Sequence, residues 1–260
     1  MSHDFKSDIV NVVAHRPWAM PDRPWVMTQT WNDLLFAHWP VDPGHIRARL
    51  PTELDLDVFE GKAWIGIVPF YMTNVAPRGI PSLPWVSEFP ELNVRTYVSV
   101  AERPGVYFFS LDAGSALAVH TARTLFNLPY FTASMSVTRE GTAIRYESRR
   151  EDGGRSADFS ATYEPAGEPF VSVDGSLEYF LTERYCLYHL DRRRVPYRLE
   201  IHHPPWVLQP ARGRVVCDSL AGVNGLRLPP SDPLLHFAKR QDMVAWMPAS
   251  LDTERAGSPP

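Results

Sequence analysis

Four polar residues spaced two apart, Glu91, Asn93, Arg95 and Tyr97, carry the clearest chemical signal in this 260-residue sequence. They stand in the segment ELNVRTYV, where Leu92, Val94 and Val98 fill alternate positions. Side chains of a strand alternate between its faces, so the polar four share one face and the apolar three look into a core. A carboxyl, an amide, a guanidinium and a phenol in one row differ from the Lys/Glu/Thr mixture of a solvated outer face. Arginine beside such groups is suited to gripping a carboxylate or phosphate at two points. The competing reading is an internal Glu91–Arg95 ion pair, because a buried arginine without a partner is costly.

Two further segments add candidates. A helix predicted over Ala116 to Phe126 carries His120 and Arg123 on one face and runs out into Pro129-Tyr130-Phe131. Downstream, LTERY offers Glu183 and Arg184 as a second charged pair. Taken singly, His120 and Arg123 read as well as surface groups, and Glu183–Arg184 as a local ion pair of little energetic weight. In a pocket, Glu91 would be the acid/base and Tyr130 a proton donor or oxyanion partner. Arg95, alone or joined by Arg123 or Arg184, would hold a small organic acid.

The remaining chemistry is bounded by what is missing. Lysine occurs only at Lys6, Lys62 and Lys239, in an arm, a turn and a charged run beside Arg240, so no amine is placed for covalent chemistry. His202 and His203 are adjacent, and on an extended chain they point to opposite faces, so no zinc-type ligand set is expected. There is no Gly-rich phosphate loop, no G-x-S-x-G elbow and no Cys-x-x-Cys. Neither a metal nor a cofactor is signalled.

The elements that must position these groups are short and punctuated by 25 prolines. Asp42-Pro43-Gly44 starts a short helix that Pro51 stops. Ala63–Phe70 reads as a buried strand. Leu92–Ala101 and Val106–Leu111 form a hairpin about a Pro104-Gly105 turn. Phe131–Thr138, Ala143–Arg149 and Ala157–Tyr163 continue as a meander, with turns at Glu140-Gly141 and Asp152-Gly153-Gly154. The main helix lies between hairpin and meander, with Ser115 as its cap. A second short helix over Leu177–Leu181 leads into a strand through Tyr185–Leu190. The expected class is α+β: a curved, mostly antiparallel sheet packed by one main helix. Residues 1–25 read as an extended arm, 26–251 as one domain and 252–260 as a flexible tail.

At 44% apolar and 22% charged residues, the composition is that of a globular domain with ample core. A net charge of −4 gives no electrostatic case for nucleic acid. The longest apolar stretch, near Ala63 to Met72, falls far short of the roughly 20 residues that cross a membrane. The polar N-terminus is unlike a signal peptide. Cys186 and Cys217 lack metal-type spacing and read as reduced, buried thiols. A cytoplasmic location is the expectation.

Together, WNDLLFAHW (31–39), ELNVRTYV (91–98), GVYFFSLD (105–112), ARTLFNLPY (122–130), LTERYCLY (181–188) and PPW (204–206) resemble the YqjF-like bacterial family, domain of unknown function 2071. The resemblance implies a distant fold relationship to acetoacetate decarboxylase, a cone-shaped β barrel with a central cavity. It also places Tyr130 where the decarboxylases have their Schiff-base lysine, and Phe131 where they have its lysine neighbour. A phenol and a phenyl ring supply no amine. The implied fold therefore comes without the implied mechanism. Three functions stay open: an enzyme of lyase, hydratase or isomerase type acting on a small organic acid, a non-catalytic metabolite-binding module, or a scaffold whose sheet edges form a homo-oligomer.

Overall fold

A computed structural model describes residues 5–82, 87–152, 154–191 and 193–251. The expected tail, 252–260, lies outside the described residues, as do Gly153 of the expected turn and the first four residues of the arm. Long strands dominate the first half: β1 (Met27–Val41), β3 (Ala63–Pro77), β4 (Phe89–Val100) and β5 (Arg103–Ala113), with the two-residue β2 (Asp55–Leu56) between β1 and β3. Then come β6 (Tyr130–Thr132), β7 (Ser134–Glu140), β8 (Ala143–Asp152), β9 (Arg155–Pro165) and β10 (Phe170–Val171). The last five are β11 (Cys186–Leu190), β12 (Pro196–His202), β13 (Val207–Val216), β14 (Leu234–Ala245) and β15 (Ala249–Ser250). Helices are few and short: α1 (Pro43–Arg47), α2 (Ala116–Phe126), α3 (Leu177–Thr182) and α4 (Asp218–Val223).

Strand pairing closes on itself. The order β12-β11-β5-β4-β3-β1-β14 returns from β14 to β12 through Ile201↔Ala245 and His202↔Val244. Within this ring the β5–β11 junction is parallel and the others are antiparallel. From β14 the sheet continues through β13, β9, β8 and β7. The apolar face of β4, Leu92, Val94 and Val98, packs in one cluster with Ile144, Tyr146 and Phe159 of this extension. The opposite face of β4 contributes Phe89 and Tyr97 to a second cluster with Phe36, Phe70 and Trp206. Strand β4 is therefore buried on both sides, and its polar row belongs to an interior.

Two local departures from the sequence reading stand out. The β4–β5 hairpin turns at Ala101-Glu102, both at positive φ (49° and 61°), not at Pro104-Gly105. Two central residues in that conformation make the tight loop whose twist suits antiparallel strands. Gly105 serves a different end: a Cβ there would meet Tyr188 at 2.7 Å and the Cys186 carbonyl at 2.8 Å, so its absence lets β11 approach β5. The expected strand 131–138 is divided, because Tyr130–Thr132 pairs parallel to Leu111–Ala113 while Ser134–Glu140 pairs with β8.

Helix caps follow the sequence. Asp42 accepts from His45 N at 3.2 Å, Ser115 from Ala118 N at 3.3 Å and Ser176 from Tyr179 N at 3.2 Å. The N-terminal arm is tied down rather than simply extended. Ser7–Asn11 forms a 3-10 turn whose Ile9 packs with Val244 and Trp246, and both Arg16 (3.2 Å) and Trp18 (2.9 Å) bond the Glu200 carboxylate. Among the described residues no helix is long and apolar enough to cross a membrane. Both cysteines are buried.

Candidate functional site

A cavity of about 510 Å³ lies against the inner face of the ring, and every ring strand contributes lining side chains. That volume falls within the range of small-molecule sites. Its walls are mainly apolar, with Phe36, Phe70, Met72, Phe108, Leu187 and Met243 among them. Helix α2 closes one side with Ala118 and Ala122. Polar groups are fewer, and β4 supplies three of them: Glu91, Asn93 and Arg95, two residues apart, all line the cavity.

Glu91 is 2% exposed and opposes Phe70 on β3 and Ala113 on β5. The Tyr130 hydroxyl donates to Glu91 Oε2 at 3.0 Å, and the Tyr146 hydroxyl donates to the Glu91 main-chain carbonyl at 2.7 Å. Burial pushes the Glu91 carboxyl up to about 8. Hydrogen bonds from Tyr130 and Asn93 pull it back in part, and Asp112 adds a small upward push. The acid is therefore mainly neutral at pH 7. Burial, and then Glu91 itself, hold the Tyr130 phenol well above its ordinary range, so it stays a donor. A neutral carboxylic acid braced by a phenol can give up a proton to a ligand oxygen and take it back.

Arg95 stands at the other end of the row and has no carboxylate partner among the described residues. Its Nη2 donates to the Leu181 carbonyl at 3.1 Å and to the Tyr97 hydroxyl at 3.4 Å, while its buried Nε bonds nothing described. The guanidinium lies 5.3 Å from the Phe36 ring centre. Gly66 pairs with Arg95 across β3–β4, and a Cβ there would come within 3.2 Å of Arg95 Cγ and 3.1 Å of the His38 ring. The missing side chain is what admits both. Tyr97 shares the row's face but is fully buried beneath the cavity wall. Its hydroxyl donates to Leu181 O (2.8 Å), so His38 Nε2, 2.6 Å away, donates to it in turn. Tyr97 is a prop for Arg95.

The other sequence candidates divide. Arg184 lines the cavity, yet its Nη1 is held by Asp57 at 2.6 Å and its Nε by the Phe180 carbonyl at 2.7 Å. Glu183 is buried behind it, accepting from the Tyr185 hydroxyl and, at 2.9 Å, from Trp206 N. Glu183 fixes the chain that carries Trp206. His120 is exposed on α2 and outside the cavity lining. Arg123 is also exposed and does not line the cavity; its Nε donates to the Tyr130 carbonyl at 2.5 Å, securing the strand that presents Tyr130. Glu91, Asn93, Arg95 and Tyr130 are thus brought together with Arg184. Tyr97, His120, Arg123 and Glu183 stand behind or outside the cavity.

Sequence reasoning missed Gln29, Trp31, Thr182 and Trp206 as lining groups, and weighed His203 only as a metal ligand. His203 is fully buried and neutral, its imidazole held down at about 4 by burial, with Nε2 3.3 Å from the Arg184 carbonyl. Its neighbour His202 turns the other way, to the Ile9 carbonyl at 2.9 Å. Buried Trp206 Nε1 and Asn93 Oδ1 have no hydrogen-bond partner among the described residues. With Arg95 Nε, they make three unmatched, buried polar atoms on cavity-lining residues. All three lysines lie elsewhere: Lys6 and Lys62 are exposed, and Lys239 bonds Asp33 at 2.6 Å on the surface.

Comparison with known proteins gives a consistent picture. The family model described as an uncharacterized conserved protein, domain of unknown function 2071, matches residues 28–242. The protein YqjF of Bacillus subtilis (strain 168) is 49% identical over 228 residues, covering 88% of this chain and 93% of that one. Among solved structures, the enduracididine biosynthesis enzyme MppR complexed with pyruvate superposes with a TM-score of 0.59 at 14% identity, covering 90% of this chain and 93% of that one. Acetoacetate decarboxylase from Legionella pneumophila gives 0.58 at 13%, covering 96% and 98%. An acetoacetate decarboxylase-like enzyme from Sphingomonas wittichii RW1 gives 0.60 at 11%, covering 90% and 97%. At these identities the structural likeness establishes the fold, a large sheet with few helices, and nothing about the reaction.

Proposed function

This chain belongs to the family of uncharacterized conserved proteins named domain of unknown function 2071, and we propose that its cavity takes an organic acid and transforms it by proton transfer without a covalent amine intermediate. The ligand carboxylate sits at Arg95. Glu91, braced by Tyr130, protonates or deprotonates a ligand oxygen or the carbon beside it, as a lyase, hydratase or isomerase requires. The observation that carries this reading is the pairing of a guanidinium lacking any described carboxylate with a neutral acid on the same cavity-facing row. An internal Glu91–Arg95 ion pair would have consumed both charges. Instead burial and Asp112 push Glu91 up, with no opposing pull from Arg95.

Two fold neighbours have names that fit an organic-acid ligand, pyruvate in MppR and acetoacetate in the decarboxylase. The amine that a Schiff base needs is replaced here by the Tyr130 phenol, so the chemistry assigned to this cavity is acid–base. A second reading, binding without turnover, draws on the apolar walls, which suit a lipophilic acid held for transport or sensing.

The test is thermal unfolding of wild type and Arg95→Ala against a panel of carboxylic and oxo acids. An acid that binds only the folded form at about 100 times its Kd adds roughly 2.7 kcal/mol. Shifts in wild type that vanish in Arg95→Ala are the expected result. Acids that shift the protein are then followed by NMR for conversion, with Glu91→Gln as the comparison. Conversion abolished by Glu91→Gln supports the enzyme. Shift without conversion supports the binder, and no shift with any acid refutes both.

A further inference from the structure

The spacing of the polar groups along β4 limits the ligand more narrowly. Four residues separate Glu91 from Arg95 on a strand without irregularity on its own side, so their Cα atoms are about 13 Å apart. The side chains do not close that gap evenly. Arg95 reaches onward to the Tyr97 hydroxyl and the Leu181 carbonyl, away from Glu91. Glu91 bonds Tyr130, whose backbone pairs with Leu111, the residue opposite Asn93. The carboxyl thus leans one position towards Arg95 while the guanidinium leans about one position away. The two leans offset each other, so the gap between the groups stays about 13 Å.

Subtracting a hydrogen bond of about 2.8 Å at each end leaves roughly 7 Å between two ligand oxygens, the span of a 5-oxo acid. An extended chain advances about 1.2 Å per bond. A 2-oxo acid, with three bonds between those oxygens, spans about 3.6 Å and reaches one group only. A 3-oxo acid falls short at about 5 Å even when fully extended. Beyond Glu91, away from Arg95, the row continues into apolar walls: Phe89, its β3 partner Met72, and Met27. At the ~30 Å³ that a water occupies, the cavity holds about 17 water-sized units, several times a three-carbon acid.

We infer that the ligand is a mid-chain oxygenated monocarboxylate: its carboxylate at Arg95, a carbonyl or hydroxyl at about the fifth to seventh carbon against Glu91 and Tyr130, and an apolar end towards Phe89. This rests on the proposed organic-acid reading and adds the distance between the two functional groups.

The probes are octanoate and its 2-, 3-, 5-, 6- and 7-oxo derivatives, which keep length and acid group constant and move only the carbonyl. Calorimetric titration at pH 7 measures Kd for wild type, Arg95→Gln, Glu91→Leu and Tyr130→Phe. One added hydrogen bond gives the 5- to 7-oxo isomers an advantage of about fivefold or more over octanoate and 2-oxooctanoate. Glu91→Leu removes that advantage and still binds octanoate, whereas Arg95→Gln weakens every acid. If Glu91→Leu does not fold, Tyr130→Phe carries the same comparison with a smaller loss. Equal affinities across the isomers, all dependent on Arg95, overturn the spacing and leave the organic-acid reading standing. Tightest binding of the 2-oxo isomer overturns it as well. No binding of any acid overturns both.

Discussion

Replacing Glu91 by glutamine tests the origin of the neutral acid, because it keeps the shape and the acceptor for Tyr130 while removing the titration. In the unfolded chain the carboxyl ionises near 4.5; in the fold, burial moves it to about 8. The sign follows directly. Below the unfolded value both states hold the proton and burial costs nothing. Between the two values the unfolded state releases the proton and the folded state keeps it, so wild type loses stability as pH rises, at up to about 1.4 kcal/mol per pH unit. Across the whole window the loss reaches about 4–5 kcal/mol, and between pH 5 and pH 8 about 3–4 kcal/mol. Glutamine has no such slope. For a domain of this size each kcal/mol shifts Tm by roughly 2–4 °C, so the Tm difference between Glu91→Gln and wild type should grow by about 6–16 °C over that range. Parallel melting of both proteins in matched buffers at pH 5, 6, 7 and 8 measures it. A difference that is flat with pH refutes the buried neutral acid, and with it the role assigned to Glu91.

Tyr130→Phe removes a hydrogen bond that holds Glu91 down, so the carboxyl titration, followed by NMR with labelled glutamate, should move upward from about 8. Movement downward would mean that Tyr130 disfavours the charged form instead. Gly105→Ala drives a Cβ against Tyr188 and the Cys186 carbonyl at 2.7–2.8 Å. It should cost about 1–3 kcal/mol in urea unfolding, with strands β5 and β11 as the first amides to lose exchange protection. An unchanged midpoint would show that the two strands separate freely.

The polar row of β4 was legible because alternation needs only the local sequence, and Leu92, Val94 and Val98 declare the opposite face apolar. Burial of both faces was not legible, since it depends on Ile144, Tyr146 and Phe159, more than 40 residues away. Helix α2 could be placed from its cap and its proline limit. Its polar side, with His120 and Arg123, looked like a second half of the site, but the residues it turns to the cavity are Leu117, Ala118, Thr121, Ala122 and Phe126. No local rule distinguishes a charged helix face that looks at solvent from one that looks at a ligand. Strands β1 and β14, which complete the ring, have mixed patterns such as AKRQDMVA, whose Lys239 and Arg240 gave no strand signal. Asp33 and Asp242 neutralise those two cations, and only the paired arrangement reveals it. Trp206 follows two prolines in an irregular stretch, and its position is fixed by Glu183, 23 residues earlier.

Tyr130→Lys tests whether Glu91 controls protonation on this cavity wall. A lysine there would bring an amine with an ordinary affinity for protons, near 10.4, against an acid held at about 8. The proton would pass from the carboxyl to the amine, leaving an ammonium–carboxylate pair in an apolar cavity. Such a pair is stabilised by its own attraction, and the ammonium is no nucleophile. Tyr130→Lys alone should therefore form no borohydride-trapped adduct with acetoacetate at pH 7, read by intact mass. Adding Glu91→Gln takes away the counter-charge, so burial then lowers the amine and trapping should rise with pH. Efficient trapping in the single variant would show that Glu91 does not control protonation at position 130. Equal inertness of both variants, with folding intact by circular dichroism, would mean that the ligand carbonyl never reaches that wall. A cavity wall that holds a proton on the Glu91 carboxyl is unsuited to hold a free amine beside it.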